Sequence, residues 1–201
     1  MSDQKQGFET LQIHAGASPE AATGARQVPI YQSTAFVFQS ADHAARLFTL
    51  QEVGFLYSRL TNPTVMALAE RITHLEGGAG GVCCSSGHAA QIMALFPLMM
   101  PGNNIIASTR LYGGTYTQFT HTIKRFGWSC KFVDFDDLDA VRAAVDDDTR
   151  AIFCESIANP GGYITDLDAI GDIANDVGLP LIVDNTSATP YLCKPIDHGA
   201  T

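Results

Sequence analysis

Ala151-Ile152-Phe153-Cys154-Glu155, then Leu167-Asp168-Ala169-Ile170-Gly171-Asp172-Ile173-Ala174-Asn175-Asp176-Val177, then Leu179-Pro180-Leu181-Ile182-Val183-Asp184, reads as strand, helix, strand. In the central piece Leu167, Ile170, Ile173, Ala174 and Val177 recur at the spacing that puts them on one helical face. The flanking runs are short, apolar and partly β-branched, as strands covered on both faces are. A strand returning through a helix to a second strand implies a right-handed crossover and parallel pairing. The same alternation extends toward the N-terminus. Apolar runs at 81–84, 104–108 and 129–134 alternate with helical patterns near 89–99, 115–126 and 138–145. The pattern predicts an α/β fold with a mostly parallel sheet and helices on both faces.

Upstream, Asn62 suits a helix N-cap and Pro63 the first helical position. Val65, Leu68, Ile72 and Leu75 follow at helical spacing, and Gly77-Gly78 ends the run. The first fifty residues differ. Gly16, Ser18, Pro19, Gly24 and Pro29 punctuate a stretch with little periodicity. Residues 1–50 read as an extended arm, lying on its own chain or on a partner, because such a segment buries too little apolar surface to stand alone. Residues 51–201 read as the N-terminal part of a large domain.

The 201 residues suffice for one core, and 46% hydrophobic with 16% charged residues is ordinary globular composition. A net charge of −9 disfavours a protein that tracks nucleic-acid phosphates. The polar start and an apolar run at 92–100 too short to span a bilayer predict a cytoplasmic protein. The five cysteines show no CxxC spacing and read as free, mostly buried thiols. No histidine stands in a metal-ligand spacing, so no metal is expected.

In open α/β sheets ligands bind beyond the carboxyl ends of the strands. Ser85-Ser86-Gly87-His88, Arg110-Leu111-Tyr112-Gly113-Gly114, Glu155-Ser156-Ile157-Ala158-Asn159-Pro160 and Asp184-Asn185-Thr186 stand at those ends. Ser85-Ser86-Gly87 opens a helix, so it is either a plain N-cap or a phosphate cradle of backbone N–H groups. Asp184 ends an apolar strand, where it either caps the next turn or balances a bound cation such as a protonated pyridine nitrogen. Tyr112 is either a core aromatic or a platform for a flat ring. Asp134 and Asp136-Asp137 read as solvated capping carboxylates. Gly77, Gly78, Gly80 and Gly81 precede a strand, whereas a dinucleotide fingerprint follows one.

Together these residues resemble the Cys/Met-metabolism family of pyridoxal 5'-phosphate (PLP) enzymes. The resemblance rests on Tyr57-Ser58-Arg59 with Thr61-Asn62-Pro63-Thr64, Ser85-Ser86-Gly87, Tyr112-Gly113-Gly114-Thr115, Glu155-Ser156 with Asn159-Pro160, and Val183-Asp184-Asn185-Thr186 with Ala188-Thr189-Pro190-Tyr191. Thr10-Leu11-Gln12-Ile13-His14-Ala15-Gly16, Thr23-Gly24-Ala25-Arg26, Val28-Pro29-Ile30-Tyr31-Gln32 and Arg46-Leu47-Phe48 are similar to its O-acetylhomoserine sulfhydrylase branch. The resemblance implies an incomplete type I (aspartate-aminotransferase-like) large domain and a transferase of methionine biosynthesis. That enzyme forms homocysteine and acetate from O-acetylhomoserine and sulfide. Cystathionine γ-synthase, O-succinylhomoserine sulfhydrylase, methionine γ-lyase and a catalytically silent fragment stay open as alternatives.

The resemblance also implies roles. Gly87 and His88 offer backbone N–H groups to the PLP phosphate, with Ser86 nearby. Tyr112 stacks on the ring, Asp184 pairs with its nitrogen, Asn159 lies near its phenolic oxygen and Glu155 supports them. Tyr57 and Arg59 reach the phosphate of a neighbouring subunit in a homotetramer built as a dimer of dimers, although Arg59 taken alone reads as a surface charge. His88 replaces the commoner Met or Gln, and Ala158 the commoner Pro or Gly. The cofactor lysine and the C-terminal domain are expected beyond Thr201, since Lys5, Lys124, Lys131 and Lys194 do not match the lysine's context.

Overall fold

The computed structural model describes residues 6–201, so Lys5 lies outside the described residues. The chain forms two compact units, divided between Cys83 and Cys84.

The first unit is built on three helices, α1 (Phe8–His14), α2 (Ala41–Phe48) and α3 (Pro63–Glu76). As the sequence predicts, the Asn62 side chain caps α3 by accepting from the Thr64 N–H, and Gly77 ends it in the left-handed conformation. The arm is not extended throughout, because α1 and α2 interrupt it. Both are short, at seven and eight residues, so their periodicity barely registers in sequence. Between them the arm lies on its own unit. The Thr64 hydroxyl accepts from the Tyr31 N–H and donates to the Pro29 carbonyl, and the Asn62 amide donates to the Tyr31 carbonyl. Helix α1 packs on α3, and the Arg71 Nε donates to the Ala15 carbonyl. Gly16 turns the chain there at φ +69°, where a Cβ would stand 2.5 Å from the Ala67 carbonyl oxygen. The apolar stripe of α3 is mostly uncovered. Leu75 is buried, but Val65, Leu68 and Ile72 are 44–54% exposed.

The second unit carries a four-stranded parallel sheet in the order β2-β1-β3-β4, with β1 Asn104–Ser108, β2 Ser129–Val133, β3 Thr149–Glu155 and β4 Leu181–Asp184. Its two faces hold two cores, sorted by strand alternation. Ile105, Ala107 and Phe153 join Leu95, Phe119 and Ile123 on one face. Ile106, Ile152 and Leu181 join Val141, Ile170 and Ile173 on the other. The first face is covered by α4 (Gly87–Leu95) and the helical segment from α5 (Gly113–Thr117). The second is covered by α6 (Leu138–Ala144) and α7 (Leu167–Val177). A short α8 (Thr189–Leu192) follows β4.

Three further expectations are corrected. Residues 81–84 form no strand: they are exposed, and an apolar run becomes a strand only where a neighbour pairs its backbone. The helix expected over 115–126 is three pieces: α5, a π-helical turn at Gln118–Thr122 and a 3₁₀ turn at Ile123–Phe126. Of the thiols only Cys154 is fully buried, while Cys83 and Cys84 are exposed because they lie in that unpaired segment.

Candidate active site

At the carboxyl ends of β1, β3 and β4 lies a cavity of about 350 Å³, built entirely from the second unit. One wall is the start of α4. The Ser86 side chain accepts from the Ala89 N–H at 3.2 Å, so it acts as the N-cap. The N–H groups of Gly87 and His88 open the helix without an intrahelical acceptor, and no atom stands within 4 Å of where a Gly87 Cβ would be. The N-cap reading of the segment is what the structure shows, and it leaves the first N–H groups of α4 facing the cavity end of the helix.

The facing wall is Tyr112, half exposed after β1, with its ring 6.2 Å from the His88 ring and tilted by 33°. Gly114 lies close under both. A Cβ there would come within 2.5 Å of the Tyr112 ring and 2.8 Å of the imidazole. His88 lines the cavity, and its imidazole packs beside Gly114 and Tyr112.

Glu155, 5% exposed at the end of β3, ties two loops together. One oxygen accepts from the Tyr112 N–H at 2.6 Å, the other from the Asn159 N–H at 3.0 Å. Burial raises its carboxyl above the ordinary value. The two backbone N–H donors oppose that shift, and the nearby Asp184 charge adds to it. Asn159 reaches the cavity from a loop closed by the Ala158 N–H donating to the Tyr163 carbonyl, so an alanine at 158 supports the turn.

Asp184 closes the far end. Its Oδ1 accepts from the Thr186 N–H and hydroxyl at 3.0 and 2.6 Å, whereas Oδ2 has no partner among the described residues. The turn cap thus uses one oxygen of the carboxylate. By contrast, Arg110 is drawn away. Its guanidinium lies 2.6 Å from Asp136, 3.3 Å from Asp134 and 4.5 Å from the Tyr163 ring centre. Asp137 caps α6.

The structure thus brings Gly87, His88, Tyr112, Asn159 and Asp184 to one cavity, with Ser86 capping its helix. Tyr57 and Arg59 belong to the other unit, where the guanidinium lies 5.8 Å from the tyrosine ring centre. Sequence reasoning missed Gln91 and Ser187, which also line the cavity, and it gave no role to Thr115, Ile157 and Thr186, which lie in the segments it singled out. A glutamine inside the apolar turn Ala89-Ala90-Gln91-Ile92 was the available signal for the first.

The donor set fits PLP. A helix N-terminus suits its phosphate, an aromatic face its ring, and an unpaired carboxylate oxygen its protonated nitrogen. Among the described residues no group of three or more His, Cys, Asp or Glu side chains is placed to hold a metal ion, and no helix is long and apolar enough to cross a membrane.

The profile of the Cys/Met metabolism PLP-dependent enzymes matches residues 9–201. A homocysteine synthase of Schizosaccharomyces pombe is 47% identical over 201 residues, which is all of this chain and 47% of that protein. An O-acetyl-L-homoserine sulfhydrylase of Corynebacterium glutamicum is 50% identical over 195 residues, 96% of this chain and 45% of that protein. The chain spans about half the length of the curated relatives it matches. Among solved structures, an O-acetylhomoserine (thiol)-lyase described from Campylobacter jejuni, carrying a pyridoxyl-lysine phosphate, superposes with TM-score 0.94 at 43% identity over 98% of this chain and 48% of that one. A cystathionine γ-lyase of Lactobacillus plantarum superposes at 0.87 with 39% identity, over 97% of this chain and 49% of that one.

Proposed function

The chain belongs to the Cys/Met-metabolism family of PLP-dependent enzymes, and from that premise we propose that it is the PLP-binding part of an O-acetylhomoserine sulfhydrylase. The observation that carries the cofactor site is the single cavity joining the α4 N-terminus, the Tyr112 face and the free oxygen of Asp184. PLP, when bound, supplies an electron-accepting ring that stabilises negative charge at the substrate's Cα. The chain's residues orient and charge that ring. Gly87 and His88 bind the phosphate through backbone N–H groups. Tyr112 fixes the ring plane and excludes water from one face, and Asp184 holds the proton on the ring nitrogen. Glu155 keeps Tyr112 and Asn159 in place through two backbone hydrogen bonds. The overall conversion is replacement of acetate at Cγ by sulfide, giving homocysteine.

The sulfhydrylase reading is favoured by the N-terminal segments and by relatives named homocysteine synthase and O-acetyl-L-homoserine sulfhydrylase. A second reading, γ-elimination or γ-replacement of another substrate, is supported by the likeness to a cystathionine γ-lyase. Tyr57 and Arg59 are assigned to the phosphate of a neighbouring subunit in a dimer of dimers, working in the cytoplasm. The test supplies full-length protein containing this chain with O-acetylhomoserine and either sulfide or cysteine. Homocysteine formed with sulfide supports the assignment; cystathionine formed with cysteine, and no homocysteine, overturns it.

A further inference from the structure

The two walls that a PLP ring and its phosphate would touch come from different helices, with Gly87 and Tyr112 twenty-five residues apart in sequence. A side-chain clamp between those helices sets their separation. The Gln118 Nε2 donates to the His88 carbonyl at 3.2 Å and to the Gln91 Oε1 at 2.9 Å. The Gln91 Nε2 in turn donates to the Thr115 hydroxyl at 2.9 Å. The chain of bonds leaves the α5 segment, crosses to the first two turns of α4 and returns to α5. All three residues are at most 8% exposed, so each bond satisfies a polar group that has little water to replace it.

The irregular helix belongs to this clamp. Gln118 opens the π-helical turn, Phe119 and Ile123 bury their side chains in the sheet core, and Gln118 is left to reach α4. π-turns mark places where register is given up for a particular side-chain placement. The His88 carbonyl held here belongs to the residue whose N–H opens the cavity and whose ring meets Tyr112.

Resting on the reading of the cavity as a PLP site, we propose that Gln118 is a positioning residue that fixes the phosphate end of the cavity relative to its ring face. Its removal therefore weakens a ligand spanning both ends, but not one that occupies the phosphate end alone.

The experiment uses full-length protein containing this chain, stripped of PLP, with pyridoxine 5'-phosphate, which has the ring and phosphate but no aldehyde to label lysines, and with inorganic phosphate. Gln118→Met keeps the volume and loses both donated bonds; Gln118→Glu keeps the shape but presents oxygens to two acceptors. Both variants should bind pyridoxine 5'-phosphate about tenfold more weakly, the loss expected for one or two buried hydrogen bonds. Inorganic phosphate, followed by phosphorus NMR, should bind as to the parent protein. Amide exchange across the first turn of α4 should quicken without ligand, with melting temperature held within a few degrees. Unchanged affinity in either variant overturns the clamp, and so does an equal loss for both ligands, which is plain destabilisation. A parent protein that ignores pyridoxine 5'-phosphate defeats the PLP reading instead, and the amide exchange then decides the clamp by itself.

Discussion

Asp184 uses one carboxylate oxygen on its own turn and leaves the other at the cavity without a partner among the described residues. Asp184→Ala in full-length protein should lower turnover by about a hundredfold or more, the scale of losing a preorganised charge at a reacting centre. Circular dichroism should be unchanged, and turnover within a few fold of normal would remove Asp184 from the site. The cysteines divide just as sharply. Burial pushes the Cys130 and Cys154 thiols up to about 12, whereas Cys83 and Cys84 are exposed. Since the thiolate is the nucleophile, iodoacetamide at pH 8 should label Cys83 and Cys84 at least about tenfold faster than Cys154 by peptide mass mapping. At this scale the sequence was legible where chemistry forces a residue type. Asp184 and Gly87 stood out because a carboxylate ending an apolar strand and a glycine opening a helix each demand a reason. The burial of cysteines was not legible, because exposure depends on which strands find partners.

Elements are held at both ends of the sheet by carboxylates of opposite behaviour. At the carboxyl end Glu155 joins the loops after β1 and β3. Glu155→Gln turns one acceptor into a donor facing an N–H, which should cost about 1–3 kcal/mol in urea unfolding. Because burial raises the Glu155 pKa, its contribution is largest below the ordinary glutamate value and declines as pH rises through the raised one. The gap between parent and variant should narrow over that range. At the amino end Asp146 accepts from Lys131, Asn104 and Thr149, linking β2, β1 and β3. These bonds, with that to Lys131 the largest influence, hold its carboxyl far below the ordinary value of 3.8. The stability it adds is present above that value and lost as pH falls through the lowered one. Asp146→Asn should therefore melt lower at neutral pH and lose less on acidification than the parent. Element types followed from periodicity, and Leu167–Val177 matched to the residue. The π-turn at Gln118–Thr122 carries no periodic signature, since it arises from core packing on one side and the reach to α4 on the other.

For the whole molecule, the lysines decide what this chain does alone. The Lys131 ammonium is tied to Asp146 and the Ala144 carbonyl at the amino end of the sheet, away from Asp184. Lys124 is exposed in the 3₁₀ turn, and neither Lys124 nor Lys194 lines the cavity. Borohydride reduction of the 201-residue chain with PLP should give no stoichiometric label on one lysine and no sulfhydrylase activity; a single labelled, active lysine would reverse this. Arg59 should act between subunits. Mixing Arg59→Ala with a variant lacking the cofactor lysine, both full-length, should restore part of the activity in hybrid dimers, and hybrids no better than their parents would return Arg59 to a surface role. By itself the sequence determined the alternation of strands and helices, the parallel sheet with two buried faces, and the residues at its carboxyl edge. These follow from local periodicity and from groups that cannot be buried without cause. Only the tertiary structure decided that 81–84 stays unpaired, that most of the α3 stripe is uncovered, and that Gln118, Gln91 and Thr115 brace the cavity. Those outcomes depend on which surfaces meet, and no spacing along a single chain encodes its partners in space.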